Sequence, residues 1–290
     1  MRKLRVIRIL LATFFMLAVT ACFLDFTGTS ARWFGWTAKL QLMPAALALS
    51  AVAAVILIVT LFCGRVYCSM VCPLGILQDI AIFFRRVAGR LGHRGGSTRT
   101  TGVSSLASGA SSMSRHTVLR NIIRISIAIV FFAGGFLGLH FVWLEPYAIY
   151  GRMASSLAAP LVRSGNNHLA LWAERHGSYA FHAVEVIVPP LCMVILSAAL
   201  LALMLALAIW KGRFWCNTVC PVGMVLGFLS KFSLLKPKLD QAKCVKCRLC
   251  EKACKAQSID IANGAIDRTT CVACFDCGAV CPKGALTWSK

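Results

Sequence analysis

Eight cysteines crowd the end of the chain in two runs of one spacing, Cys244-x-x-Cys247-x-x-Cys250-x-x-x-Cys254 and Cys271-x-x-Cys274-x-x-Cys277-x-x-x-Cys281, the second followed by Pro282. In each run three closely spaced thiolates grip three corners of a cubane, and the displaced fourth reaches the neighbouring one. The spacing therefore predicts two [4Fe-4S] clusters: cluster I on Cys244, Cys247, Cys250 and Cys281, and cluster II on Cys271, Cys274, Cys277 and Cys254. Structural zinc or a disulfide framework is the competing reading, and the duplication of one spacing argues against both.

The rest of the chain is a different solvent problem. It is 58% hydrophobic with a mean hydropathy of +0.74, above the apolar share of soluble domains. Four membrane spans are predicted, at Leu4–Leu24, Leu42–Phe62, Ile125–Leu144 and Leu191–Trp210. Arg5 and Arg8 interrupt the first, which crosses only if they snorkel toward headgroups. The fold class expected is a membrane all-α four-helix bundle, residues 1–235, carrying a small α+β two-cluster domain, residues 236–290. Between the second and third spans, the Ser- and Gly-rich stretch 95–114 is expected to be a flexible loop. Phe26–Leu40 is expected to lie at the outer interface, and Pro189-Pro190 to mark the start of the fourth span.

All but five of the 31 Lys and Arg fall in 1–8, 63–124 and 211–290; the exceptions are Arg32, Lys39, Arg152, Arg163 and Arg175. The positive-inside rule then places both termini and the cysteine-rich tail in the cytoplasm, with 25–41 and 145–183 outside. The expected location is a bacterial cytoplasmic membrane, crossed several times. The net charge of +21 flanks the spans, where anionic lipid is the counterpart, and no nucleic-acid motif accompanies it. Cys22 and Cys192 lie within spans as packing residues. Cys22 ends a Val-Thr-Ala-Cys stretch that resembles a processing site, but cleavage there would strand the tail opposite its charge-based side, so the helix is read as retained.

An internal repeat supplies a second constellation. Gly64-Arg65-Val66-Tyr67-Cys68-Ser69-Met70-Val71-Cys72-Pro73-Leu74-Gly75 recurs as Gly212-Arg213-Phe214-Trp215-Cys216-Asn217-Thr218-Val219-Cys220-Pro221-Val222-Gly223. Each copy follows a span running inward, so Cys68, Cys72, Cys216 and Cys220 should meet near the inner surface as an additional thiolate-bound metal centre. Soft sulfur ligands suit an iron-sulfur cluster, zinc or copper(I). Arg65 and Arg213 are expected to lower the thiol pKa values. Cys63 has no counterpart, since Lys211 stands in its place, and is read as packing.

These motifs resemble the NapH/MauN family of membrane ferredoxin-type proteins, to which the membrane parts of NosR and CcoG are related. The resemblance runs over nearly the whole chain. It implies the membrane component of a quinol dehydrogenase, one that takes electrons from quinol and passes them to a respiratory redox partner. The chain departs from the two-cluster ferredoxin pattern at Lys255, where proline is usual. Lys243, Lys246, Lys252 and Lys255 would favour an acidic partner face. His140, Glu145, His182 and Glu185, near the outer ends of spans three and four, are the candidate quinol site. The alternatives are a CcoG-like protein handling metal for another enzyme's assembly, and a redox sensor or membrane anchor.

Overall fold

The computed structural model describes residues 1–42, 51–92, 145–178 and 181–289, with isolated positions 44, 122, 126 and 129. The predicted third span, the loop 95–114 and His140 therefore lie almost wholly outside the described residues.

Two helices are long and apolar enough to cross a membrane, α1 (Arg2–Leu24) and a later one at Leu191–Lys211; only 22% and 17% of their most apolar stretches are buried. Core helices of a soluble fold would be covered, whereas these apolar flanks are exposed, which suits a lipid surround. Met1 and Arg5 lie against the tail, Arg5 pairing with Asp276 at 2.9 Å. The later helix also ends there, because the Arg213 N–H just beyond it bonds to the Lys255 carbonyl. The two apolar helices thus share one end, and the tail caps it.

α2 (Thr29–Lys39) folds back along α1, with Phe34 and Trp36 stacked on Phe14 and Trp36 on Phe15. The interfacial segment is therefore the return arm of a helical hairpin. α3 (Ala51–Cys63) covers the end of the second predicted span. Its start behaves otherwise: the Leu42 N–H donates to the Tyr67 hydroxyl at 3.0 Å.

After α3 the first repeat copy makes a short turn, α4 (Tyr67–Met70), and starts α5 (Pro73–Gly92). The second copy does the same after α8 (Leu191–Lys211), with α9 (Phe214–Thr218) and α10 (Pro221–Ser230). In both copies the glycine before the arginine, Gly64 or Gly212, has positive φ and stops the preceding helix, and the proline sits in the first helical turn, where its missing N–H has no partner to lose.

α6 (Pro146–Met153), a π turn (Ala154–Ala158) and α7 (Ala159–Arg175) form one helical run of about 45 Å. Its start is not an outer loop. Ile149 and Met153 share a buried cluster with Cys68 and Cys72. The scarcity of cations across 145–183 is real, but a charge count cannot see that the first helix of the segment is core.

The tail is stitched by two antiparallel pairs. β1 (Lys236–Leu239) runs beside β4 (Leu286–Ser289), and β2 (Ile259–Asp260) beside β3 (Ala265–Ile266). The β2–β3 hairpin turns at Asn263-Gly264, with Gly264 at positive φ. The short helices α11 (Leu249–Ala253) and α12 (Asp276–Val280) begin one residue before Cys250 and Cys277.

Candidate functional site

The tail holds two recesses, each collecting one predicted ligand set. One is lined by Cys244, Cys247, Cys250 and Cys281; the other by Cys254, Cys271, Cys274 and Cys277. Each fourth cysteine has crossed to the opposite half, as the spacing requires. Lys246 and Arg248 in one run, and Ala273 and Phe275 at the equivalent places in the other, have φ between 48° and 59°. A non-glycine residue in that region costs on the order of 1 kcal/mol and persists only where its surroundings impose it. Left-handed residues in tight loops build the concavities of backbone N–H groups that bind anionic centres. Sulfur acceptors repeat too: Ser258 N–H reaches Cys254 Sγ and Ala285 N–H reaches Cys281 Sγ, both at 3.3 Å. Donor set and loop backbone both fit a cubane in each recess.

The four repeat cysteines also converge. All are buried, at 3–4% exposure. Burial, then the neighbouring Cys216, Cys68 and Cys220 thiols, push the Cys72 thiol well up. The second cysteine of the later copy caps its helix, Cys220 Sγ accepting from Gly223 N–H at 3.4 Å. Gly75 and Gly223 are needed here, because a Cβ on either would strike the carbonyl of Cys68 or Cys216.

The arginines cross over. Arg213 Nη1 donates to the Cys68 carbonyl at 2.8 Å, and Arg65 Nη2 to the Cys216 carbonyl at 3.1 Å, so each copy's guanidinium binds the other copy. Beyond that exchange the symmetry fails. Arg213 Nε pairs with Asp79 at 2.8 Å, whereas Gly227 occupies the equivalent place in the second copy. Arg65, fully buried, is bonded to the neutral acceptors Asn217 Oδ1 and the Thr269 carbonyl, with Cys68 Sγ at 4.0 Å. A buried guanidinium held by neutral groups suits an anion on the adjacent sulfurs.

The predicted effect of the arginines on the thiols has the right direction and the wrong outcome. Burial pushes Cys216 up to about 11 although Arg213 and Arg65 pull it down. Without metal the thiol is therefore protonated. Among the described residues, no three His, Cys, Asp or Glu side chains are disposed to hold a single metal ion. A zinc ion draws its sulfurs to about 2.3 Å; a cubane spreads them.

Asp79 is the residue that sequence reasoning missed. Burial raises its pKa, but Arg213, Lys255 and Arg8 outweigh this and hold the carboxyl well below the usual range. Its oxygens lie 3.1 Å from Arg8, 2.8 Å from Arg213 and 3.1 Å from Lys255. The available signal was an acid within the apolar run Leu74–Phe84 of a chain with only 10 Asp and Glu. Lys255 correspondingly leaves the expected partner-facing set, being 10% exposed, while Lys243, Lys246 and Lys252 remain exposed.

The quinol candidates within the described residues, Glu145, His182 and Glu185, are not brought together. Glu145 is 2% exposed and caps α6, accepting from Tyr147 and Ala148 N–H. The His182 carbonyl instead accepts from Asn166 on α7, about 30 Å farther along the helical run, and Glu185 is exposed beside it.

The family described as a 4Fe-4S binding domain matches residues 45–90 and 193–240. Those stretches contain the two repeat copies, not the eight tail cysteines. Over 258 residues, 85% of this chain and 70% of the relative, it is 23% identical to the ferredoxin-type protein NapH of Haemophilus influenzae. Over most of its length the chain is thus similar to a NapH-type ferredoxin protein. A regulatory protein NosR of Pseudomonas aeruginosa is 36% identical over 63 residues, 21% of this chain and 62% of that protein. An uncharacterized protein of Methanocaldococcus jannaschii is 49% identical over 94 residues, 32% of this chain and 37% of its own length. A second from that organism is 34% identical over 95 residues, 33% of this chain and 39% of its length. The chain thus spans well under half of those two relatives. No solved structure matches it. The likeness to NapH and the two exposed apolar helices suggest a membrane protein, and the family match supports iron-sulfur binding.

Proposed function

We propose that this NapH-type protein oxidises membrane quinol and delivers the electrons to a protein partner docked on the tail. The observation that carries the reading is the placement of the three cysteine sets. Cys274, Val272 and Ala256 belong to the same buried cluster as Cys68, Cys72 and Cys220, and Cys254 packs against it, so the second recess abuts the four-cysteine site. The first recess opens outward, with Cys247 exposed.

In this reading Cys68, Cys72, Cys216 and Cys220 hold a third cluster, a view supported by the match of a 4Fe-4S binding family to those segments. Cys254, Cys271, Cys274 and Cys277 hold cluster II, and Cys244, Cys247, Cys250 and Cys281 hold cluster I. The clusters supply one-electron redox chemistry. The chain's own groups do the rest. Arg65 and Arg213 neutralise the four-cysteine site and bind its two halves together. Among the described quinol candidates, Glu145 is the one whose charge acts on a residue beside this site, Tyr67; it accepts the proton released as quinol is oxidised. The exit surface is set by exposed Lys243, Lys246, Lys252 and Lys283 around exposed Val245 and Leu249, a basic rim with an apolar centre that fits an acidic redox protein.

The test is anaerobic reduction of iron-reconstituted, detergent-solubilised protein by a short-chain quinol analogue, followed by bleaching of cluster absorbance. Reduction within the mixing time of a manual assay is expected, and Glu145→Gln should slow it without changing iron content. Clusters that dithionite reduces but quinol does not would overturn the reading.

A further inference from the structure

Lys255 stands where the two-cluster ferredoxin pattern has proline, directly after Cys254. Its ammonium lies 3.1 Å from Asp79 on α5 and 3.1 Å from Asp276 in the tail. The three side chains are 10%, 8% and 5% exposed. A lysine ordered at such a place gives up rotamer freedom and hydration, and neutralisation alone does not explain it. Asp79 already has Arg8 and Arg213, and Asp276 already has Arg5. What Lys255 adds is a link: among the described residues it is the cation whose single charged group touches an acid on each side of the joint.

The backbone says the same. The Lys255 carbonyl accepts from Arg213 N–H at 3.0 Å, in the second repeat copy. Gly212, at positive φ, has the room for this approach, since a Cβ there would strike that carbonyl. Next along the chain, the Ala256 carbonyl accepts from Asn217 Nδ2 at 3.4 Å. The Lys255 charge is also within electrostatic reach of Cys274, on the far wall of the second recess.

We propose that Lys255 is a positioning residue that seats the tail on the four-cysteine site and raises the reduction potential of the centre held by Cys254, Cys271, Cys274 and Cys277. The proposal rests on the reading of that recess as a cluster site. A positive charge beside a cluster favours its reduced, more negative form. Because both carboxylates keep a cation when Lys255 is lost, Lys255→Met leaves no orphaned buried charge, and the protein should still fold and take up iron.

The test uses the full chain, reconstituted anaerobically, as wild type, Lys255→Met and Lys255→Arg. Iron content, an EPR-monitored redox titration and hydrogen exchange over residues 212–217 are read on each. In Lys255→Met the expected result is wild-type iron, a shift of cluster II to lower potential, an unmoved cluster I and faster exchange at Arg213. Lys255→Arg should restore both properties. An unchanged cluster II potential together with unchanged exchange would overturn the proposal, as would loss of iron from Lys255→Met, which would make Lys255 a folding residue of the tail. If wild type itself takes up no iron, the cluster reading fails, and exchange at Arg213 still decides the seating.

Discussion

The tail recesses and the four-cysteine site use the same ligand chemistry on opposite structural terms. In the tail, ligands come from short loops with left-handed residues, two two-stranded pairings and a small core; the cluster around Cys250 and Cys277 holds Ile259, Ile261 and Leu286, with Leu239, Ile266 and Trp288 packed against it. At the repeat, ligands sit in the main core beside Leu74, Met204, Trp215 and Leu226, clamped by crossed arginines. The first arrangement depends on what it binds. The second is built before anything binds.

The largest effect should come from breaking the clamp. Asp79→Ala removes a buried carboxylate from Arg213, Arg8 and Lys255, and loss of one partner of a buried ion pair costs about 3–5 kcal/mol. Thermal unfolding in detergent should show it, and a loss under 1 kcal/mol would mean that the network is not a structural element. Iron removal separates the two regions next. On chelation, amides of 240–289 should lose protection while those of 64–82 and 212–230 keep it, because metal binding supplies folding free energy where the core is small. Equal loss in both would erase the contrast.

A smaller, graded effect is pH. Burial pushes Cys271 up to about 12 and Cys274 up to about 11. Below those values the iron-free thiols are protonated, ligation releases the protons, and cluster retention against a chelator should strengthen as pH rises from about 6 to 9. Retention that is flat across that range would contradict buried, protonated thiols. The smallest change is Ser258→Ala. The Ser258 hydroxyl lies 3.3 Å from Cys254 Sγ. Its removal should lower the potential of cluster II alone, because hydrogen bonds to sulfur favour the reduced form. A shift shared by both clusters would argue against the ligand partition between the recesses.

The tail was the more legible region, and the reason is local. Cysteine spacing encodes which sulfur crosses over, and Asn263-Gly264 encodes the hairpin; both act within a few residues. The strand β1 was not visible, since Lys-Pro-Lys-Leu has no strand pattern and is defined by pairing with β4. At the repeat, sequence symmetry announced the four cysteines and two arginines but hid the asymmetry. Only the folded chain brings Asp79 to Arg213 and leaves Arg65 on neutral acceptors. The fold-back of α2 and the burial of Glu145 were illegible for the same reason, being contacts between distant segments of similar apolar composition.

The most direct test of the account is iron analysis with EPR of wild type against Cys72→Ser plus Cys220→Ser. Three occupied sites predict that the double variant loses about one third of the iron and one cluster signal while the tail signals persist. Identical iron and spectra in the two proteins would contradict a cluster at the repeat and reduce its cysteines to core packing.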